Sequence, residues 1–352
     1  MIAPGSGGPP GQPGAPVPGP IGILTLNPSL DVSYEVTRLV PGEKTVARHT
    51  RYDPGGNGIN LGRMLKILGV PAETFCLMAG EIGALLRRLL ASELDALHSV
   101  EIPGETRINC AVLQADPRIQ YEVTASGAAV PSAALAEIES GLLRAASGGI
   151  GVLTGSLPPG VPAGTYARLV RLLHERGALA VVDAHPEFLA GAVAARPFLI
   201  KPNRYELSRL SGTSLESRED VLRVAAEVQR SGVEWVCVSL GAEGAVLVGS
   251  DESFSAVPPR LAIRSTVGSG DAMLAGLVAG FARGHPPAEV LRTAVACGSG
   301  TATTEGTRMC SLAEVHRIAG LVEVRRSGLG QVRVSGPAPA GTPAIDPGTT
   351  PA

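Results

Sequence analysis

The sequence predicts an α/β protein: a mostly parallel sheet covered by helices on both faces, with a small antiparallel sheet standing off it as a lid. Three observations carry that expectation. Strand-length apolar runs alternate with segments whose apolar residues recur at helical spacing, the pattern of a buried parallel sheet. Three other stretches alternate apolar with polar residues at period two, as strands with one wet face do. Glycine-rich segments also run straight into two helices, where free N–H groups can meet a ligand.

The elements follow in order. Residues 21–26 are a short apolar run ending at Asn27-Pro28. Val32, Tyr34 and Val36 alternate with polar neighbours, as do residues 106–112 and 119–123, so the lid is expected from about 32–52 and 104–125. Leu61, Met64, Leu65 and Leu68 mark one helix face, and Gly69 supplies its stop. Leu135, Ile138, Leu142 and Ala145 repeat that spacing before a strand at 151–154. A helix at 166–173, strands at 179–183 and 198–200, a helix at 221–228 and a strand at 235–240 continue the alternation. An apolar helix at 272–282 follows, too short for a membrane span before Arg283.

The two ends read differently. Residues 1–20 hold seven prolines and six glycines, and residues 335–352 five prolines and three glycines. Segments so poor in large apolar side chains are expected to be disordered, leaving one domain at 21–334. Residues 1–20 lack the basic and apolar regions of a signal peptide.

Composition narrows the function. Thirty basic against 32 acidic residues give a net charge of -2, and aromatics are 3% of the chain. No polybasic arm and few stacking platforms argue against nucleic acid as partner. The five cysteines (Cys76, Cys110, Cys237, Cys297, Cys310) are scattered and form no C-x-x-C pair. They are expected to be buried thiols in a reducing cytoplasm, with neither zinc nor disulfides. A small-molecule substrate fits best.

Four segments carry chemistry. The first, from Asp53 through Gly55, Gly56 and Gly58 to Asn60, lets the backbone approach a ligand, and Asn60 can donate and accept toward sugar hydroxyls. The second is Ser265-Thr266-Val267-Gly268-Ser269-Gly270-Asp271. Gly268 and Gly270 would expose N–H groups to an anion, reinforced by the helix dipole. Asp271 in the first turn is either an N-cap or a general base beside that anion hole. The third, Lys201-Pro202-Asn203-Arg204-Tyr205-Glu206, has the spacing of a capping box, and the same oxygens could hold Mg²⁺ through waters. The fourth, Ser239-Leu240-Gly241-Ala242-Glu243-Gly244, is either a glycine hairpin or a loop against a nucleotide. Neither a Rossmann fingerprint, a P-loop nor a protein-kinase motif set is present.

In this order the four segments resemble the PfkB (ribokinase-like) family of sugar kinases, with signatures similar to residues 55–69 and 265–276. Gly155-Ser156-Leu157-Pro158-Pro159-Gly160 and Ser239-Leu240-Gly241 look like the phosphofructokinase subgroup. The resemblance implies a three-layer α/β/α core with a β lid, and an ATP- and Mg²⁺-dependent kinase acting on a phosphorylated ketohexose. It implies Asp271 as the base and Gly268, Ser269 and Gly270 as the anion hole. Asp31, Gly55, Gly56 and Asn60 would hold sugar hydroxyls, with Ser156 also on the substrate side, while Lys44 and Arg107 grip the existing phosphate. Asn203 and Glu206 would order Mg²⁺. Lys201, Asn203, Ser239, Gly241, Gly244, Thr266 and Ser299 would form the nucleotide site. A cytoplasmic homodimer joined through the lids is the expected assembly.

Lys44 and Gly306-Thr307-Arg308-Met309-Cys310 resemble the minor 6-phosphofructokinase type, so fructose 6-phosphate is the leading substrate. Asn27-Pro28-Ser29-Leu30-Asp31 and Gly104-Glu105-Thr106-Arg107 are shared with 1-phosphofructokinase and tagatose-6-phosphate kinase, which keep fructose 1-phosphate and tagatose 6-phosphate as alternatives. Those relatives usually carry lysine where Asn57 stands. Asp183-Ala184-His185-Pro186 departs from the family's D-x-S-G, Ala125-Ser126-Gly127 from its P-G pair, and Ser269 from its alanine. A non-catalytic sugar-phosphate sensor is the competing class, but a sensor has no need of Asp271.

Overall fold

The computed structural model describes residues 19–328. The Pro-rich ends expected at 1–20 and 335–352 lie outside those residues, apart from Gly19 and Pro20. The chain enters through β1 (Ile21–Thr25), runs out into β2 (Ser29–Val36) and β3 (His49–Gly55), and turns into α1 (Asn57–Ile67). Next come β4 (Glu73–Ala79), α2 (Gly80–Leu90), β5 (Ala96–Ile102), β6 (Arg107–Gln114) and β7 (Ile119–Val123). Then follow α3 (Ser132–Ala145), β8 (Ile150–Gly155), α4 (Thr165–His174), β9 (Leu179–Ala184), α5 (Pro186–Ala194) and β10 (Leu199–Ile200). After α6 (Arg204–Ser211), α7 (Arg218–Arg230) and β11 (Trp235–Ser239), the hairpin strands β12 (Ala245–Val248) and β13 (Glu252–Val257) turn back. The last elements are α8 (Ser269–Ala282), α9 (Pro287–Thr301), α10 (Leu312–Ala319) and β14 (Glu323–Gly328).

Ten strands form the main sheet in the order β14-β13-β12-β11-β10-β9-β8-β1-β4-β5. From β11 to β5 every pairing is parallel, and β12, β13 and β14 add an antiparallel end. Helices on both faces explain why β1 and β8 read as unbroken apolar runs: neither has a wet side. One face carries a core built with α1, α8 and α9, including Leu61, Met64, Leu277 and Val295. The other packs α3, α4 and α7 through Leu142, Leu169 and Val224. No helix among the described residues is long and apolar enough to cross a membrane.

The helices α8 and α9 approach more closely than side chains normally allow. A Cβ at Gly276 would lie 2.6 Å from Cα of Ala294, so the two backbones touch. The glycine and alanine content of α8 is what this seam requires.

The lid sheet has the order β3-β2-β6-β7. It is mixed rather than antiparallel, because β2 and β6 pair in parallel, with Asp31 beside Asn109. The reason lies in the connections. These strands follow β1 and β5, which run the same way in the main sheet, so both leave its edge in one direction. The edge strand β7 is exposed along its length, whereas β2 alternates and buries Leu30, Val32 and Val36. Cys110 sits on this sheet and is half-buried, unlike the four core thiols. That corrects the expectation of five buried cysteines: a lid strand has a single covered face.

Candidate active site

The start of α8 is shaped by Gly268, whose φ of +76° puts it in the left-handed region as the N-cap. Asp271 stands two positions inside the helix and makes no capping bond. Its carboxylate turns across to α1 instead. Nδ2 of Asn57 donates to Oδ1 and Nδ2 of Asn60 donates to Oδ2, each at 2.9 Å. The N-cap alternative is thereby removed. Burial, opposed by the Asn60 bond, pushes this carboxyl up to about 6, with Asp183 raising it further and Lys201 and Asn57 lowering it. A carboxylate so tuned can take a proton near neutral pH.

Asp183 and Lys201 flank this point from the ends of adjacent strands. The β9–β10 register pairs Val182 with Ile200, so the next step sets Lys201 against Asp183, and Nζ meets Oδ2 at 3.1 Å. Burial alone would lower the Lys201 ammonium, but Asp183, Glu206 and Asp271 outweigh it and hold its pKa above the ordinary value. A Cβ on Gly270 would stand 3.5 Å from Nζ, so the ammonium sits beside the glycine turn. This cluster lies at the carboxyl ends of parallel strands, where open α/β sheets bind ligands.

Beyond Lys201 the chain turns into α6. Asn203 and Glu206 form a reciprocal capping box: Oδ1 of Asn203 accepts from the Glu206 N–H at 2.9 Å, and Oε2 of Glu206 accepts from the Asn203 N–H at 2.8 Å. One oxygen of Glu206 is left outside the box. No group of three acidic, histidine or cysteine side chains converges among the described residues. The oxygen of Glu206 left outside the box is a hard donor of the kind Mg²⁺ takes, directly or through water. Ser239 bridges to Asn203, and Gly241 and Gly244 lie in the turn of the β11–β12 hairpin. Arg204 and Arg218 pin Glu243 in that turn. The carbonyl of Thr266 accepts from the Ser269 N–H, and α9 brings Gly298 and Ser299 behind it. A Cβ on Gly298 would lie 3.0 Å from the Ser269 carbonyl oxygen.

The lid supplies the other wall. Oδ1 of Asp31 accepts from Ser29 at 2.8 Å and from Asn109 at 2.9 Å, and the carboxylate lies directly on Gly55, where a Cβ would overlap it. Burial raises the Asp31 carboxyl, against those bonds and the charge of Arg107. Asp31 and Asn109 border a cavity of about 980 Å³ that runs between the lid and residues 305–308. Gly56 precedes α1, and Ser156 accepts from Nδ2 of Asn27 at 3.0 Å. Arg107 donates to the carbonyls of Ala125 and Asn27, so its fork is already braced. Lys44 is exposed on the loop between β2 and β3 and does not line that cavity, nor do Arg107, Ser156 or Asp271.

Some contributors were harder to foresee. Asn57 shares a helix face with Asn60 three residues on, a spacing visible in the sequence, although its contact with Asp271 is not. The Asp183–Lys201 pair depends on which strands are neighbours, which no local pattern reveals. His185 is exposed, just before Pro186 at the start of α5.

A buried carboxylate, a glycine turn at a helix start and a buried ammonium together suit transfer of a phosphoryl group to a sugar hydroxyl, the work of a carbohydrate kinase. The profile of the pfkB family carbohydrate kinase matches residues 24–314, and the chain belongs to that family. It is 35% identical over 297 residues to the ATP-dependent 6-phosphofructokinase isozyme 2 of Escherichia coli, covering 84% of this chain and 96% of that protein. With the 1-phosphofructokinase of Rhodobacter capsulatus it shares 36% identity over 287 residues, covering 80% and 89%. The structure of Escherichia coli phosphofructokinase-2 in complex with substrates and products superimposes with a TM-score of 0.82 at 36% identity, covering 86% of this chain and 99% of that one. The ribokinase-like core with a separate small sheet agrees with the fold class read from the sequence.

Proposed function

We propose that the protein transfers the γ-phosphoryl group of ATP to the C1 hydroxyl of fructose 6-phosphate, giving fructose 1,6-bisphosphate. The observation that carries this reading is the buried Asp271 carboxylate, set between two asparagine amides at the glycine-rich start of α8. Asp271 accepts the hydroxyl proton as the oxygen attacks in line. The N–H groups of Gly268, Ser269 and Gly270, with Lys201 beside them, stabilise charge on the transferring group. Asp31, Gly55, Gly56 and Asn60 hold the sugar, and Ser156 and Arg107 stand at its phosphate end. Ser239, Gly241, Gly244, Thr266 and Ser299 border the nucleotide. Asn203 and Glu206 order Mg²⁺ through water, and the metal offsets phosphate charge when bound.

Fructose 1-phosphate is the second reading. Its support is the 1-phosphofructokinase relative at 36% identity, together with Asn27-Pro28-Ser29-Leu30-Asp31 and Gly104-Glu105-Thr106-Arg107. A coupled assay of ADP release on fructose 6-phosphate, fructose 1-phosphate and tagatose 6-phosphate separates the substrates. Lack of turnover on all three would leave a sensor.

The unit is read as a single kinase domain at 21–334, acting in the cytoplasm. A homodimer through the lid is supported by Tyr52, Ile108, Tyr121 and Val123, apolar side chains left exposed on that sheet. Sedimentation of a variant with Tyr52 and Val123 changed to serine tests that assembly.

A further inference from the structure

Asp271 is held by Asn60, and Asn60 is itself held. Arg63, 9% exposed and one turn along α1, donates through Nη1 to Oδ1 of Asn60 at 3.4 Å and to the Thr307 carbonyl at 3.0 Å. Its Nε pairs with Glu93 at 2.5 Å. A guanidinium only donates, and an ionised carboxylate only accepts. The amide between them therefore has one satisfying orientation, oxygen toward Arg63 and nitrogen toward Asp271.

Thr307 belongs to a segment where lid and core meet. Glu305 pairs with Arg264 at 2.7 Å and reaches Arg51 of β3 at 4.0 Å, while Arg51 pairs with Asp53 at 2.7 Å. Gly306, with φ of +59°, seats beneath that pair: a Cβ there would overlap Nη2 of Arg51 and stand 2.7 Å from Oδ2 of Asp53. Asp53 is opposite Asp31 in the β2–β3 register. Three consecutive residues thus touch the lid's ion pair at one end and the support of Asp271 at the other.

We infer that Arg63 is a positioning residue that sets the hydrogen bonding of the base, and that Glu305-Gly306-Thr307 ties this setting to the seating of the lid. The inference rests on the reading of Asp271 as the base and deepens it. With Gly306 seated under Arg51, the Thr307 carbonyl holds Arg63 in place and the Asn60 nitrogen stays on the carboxylate. Displacing the lid strand frees the segment, and the Asn60 amide can then turn. The carboxylate loses a donor and keeps its proton to higher pH.

The test is a carbon NMR titration of the aspartate carboxyls in the full-length protein, with Asp271 assigned by loss of its signal in Asp271→Asn. In Arg63→Met the Asp271 midpoint should rise by about one pH unit. Turnover should fall about twofold at pH 7 and about fivefold at pH 6, with sugar KM within about twofold. Arg63→Lys, which keeps a donor, should fall between. Gly306→Ala should move the midpoint the same way and also raise sugar KM. Glu93→Gln, which removes only the other partner of Arg63, should leave the midpoint in place. An unmoved midpoint in folded Arg63→Met overturns the inference; if that variant does not fold, unmoved midpoints in Arg63→Lys and Gly306→Ala do so. Full turnover in Asp271→Asn removes the base and the inference together. An inactive Asp271→Asn with unmoved midpoints in the others removes the inference alone.

Discussion

Lys201 and Asp183 occupy the next rung beyond the last paired residues of β9 and β10, and meet at 3.1 Å with side chains only 6% and 11% exposed. Neither charge has bulk water to fall back on. Lys201→Met should therefore cost roughly 3–5 kcal/mol in urea unfolding, since it strands a buried carboxylate. Adding Asp183→Asn should recover much of that loss. A double variant no more stable than the single one would show that the ion pair is not what stabilises this end of the sheet.

Asp271→Asn keeps the shape of the side chain but cannot accept a proton at neutral pH. Turnover should drop on the order of 10²–10⁴, with sugar and nucleotide binding largely kept. Retention of more than about a tenth of wild-type kcat would sink the assignment.

The same group links function to stability. Its folded-state value of about 6 lies above the ordinary 3.8. Stability from this raised carboxyl is fully present below its unfolded value and is lost as pH rises through about 6. The difference in Tm between Asp271→Asn and wild type should grow in favour of the variant from pH 4 to pH 8. A difference that stays flat across that range would mean the carboxyl is not raised.

Gly55→Ala places a methyl group where the Asp31 carboxylate lies. Asp31 must then turn away from Asn109 and the cavity. Sugar KM should rise about tenfold or more, while ATP KM changes little. Equal effects on both would locate Asp31 away from the sugar.

Arg107→Ala should raise KM for either phosphorylated ketohexose by about ten- to a hundredfold. Lys44→Ala separates the substrate readings. A selective rise in KM for fructose 6-phosphate places Lys44 at the phosphate end. A preference for fructose 1-phosphate above about tenfold in kcat/KM, unchanged by Lys44→Ala, places the enzyme with the 1-phosphofructokinases.

Much of this was legible in the residues. Leu61, Met64, Leu65 and Leu68 announce α1 by spacing alone, and Gly268 through Asp271 announce the start of α8 by composition. What escaped was set by tertiary neighbours. The glycines of 241–244 allow the β11–β12 hairpin, but nothing local foretells that β13 and β14 extend it antiparallel. The parallel pairing of β2 with β6 follows from two strand exits far apart in the chain. Arg63 looks like any half-polar position on an amphipathic helix until Thr307 arrives from 244 residues away. For Lys44, a motif match fixes its place in the chain but not the direction in which its exposed loop between β2 and β3 carries it.

The seam at Gly276 and Ala294 settles which parts can move. Helices whose backbones touch have no side-chain layer to shear, so Asp271 on α8 and Ser299 on α9 share one rigid frame with the sheet beneath them. The four lid strands join that frame through chain crossings, the packing of Leu30 in a cluster with Ile59, Met78 and Leu86, and the contacts of Gly306. On the proposed reading, any closing stroke carries the sugar toward a stationary Asp271 and Ser299. The lid's stopping contacts then set the reaction geometry, and substitutions there should alter turnover without touching the groups that perform it.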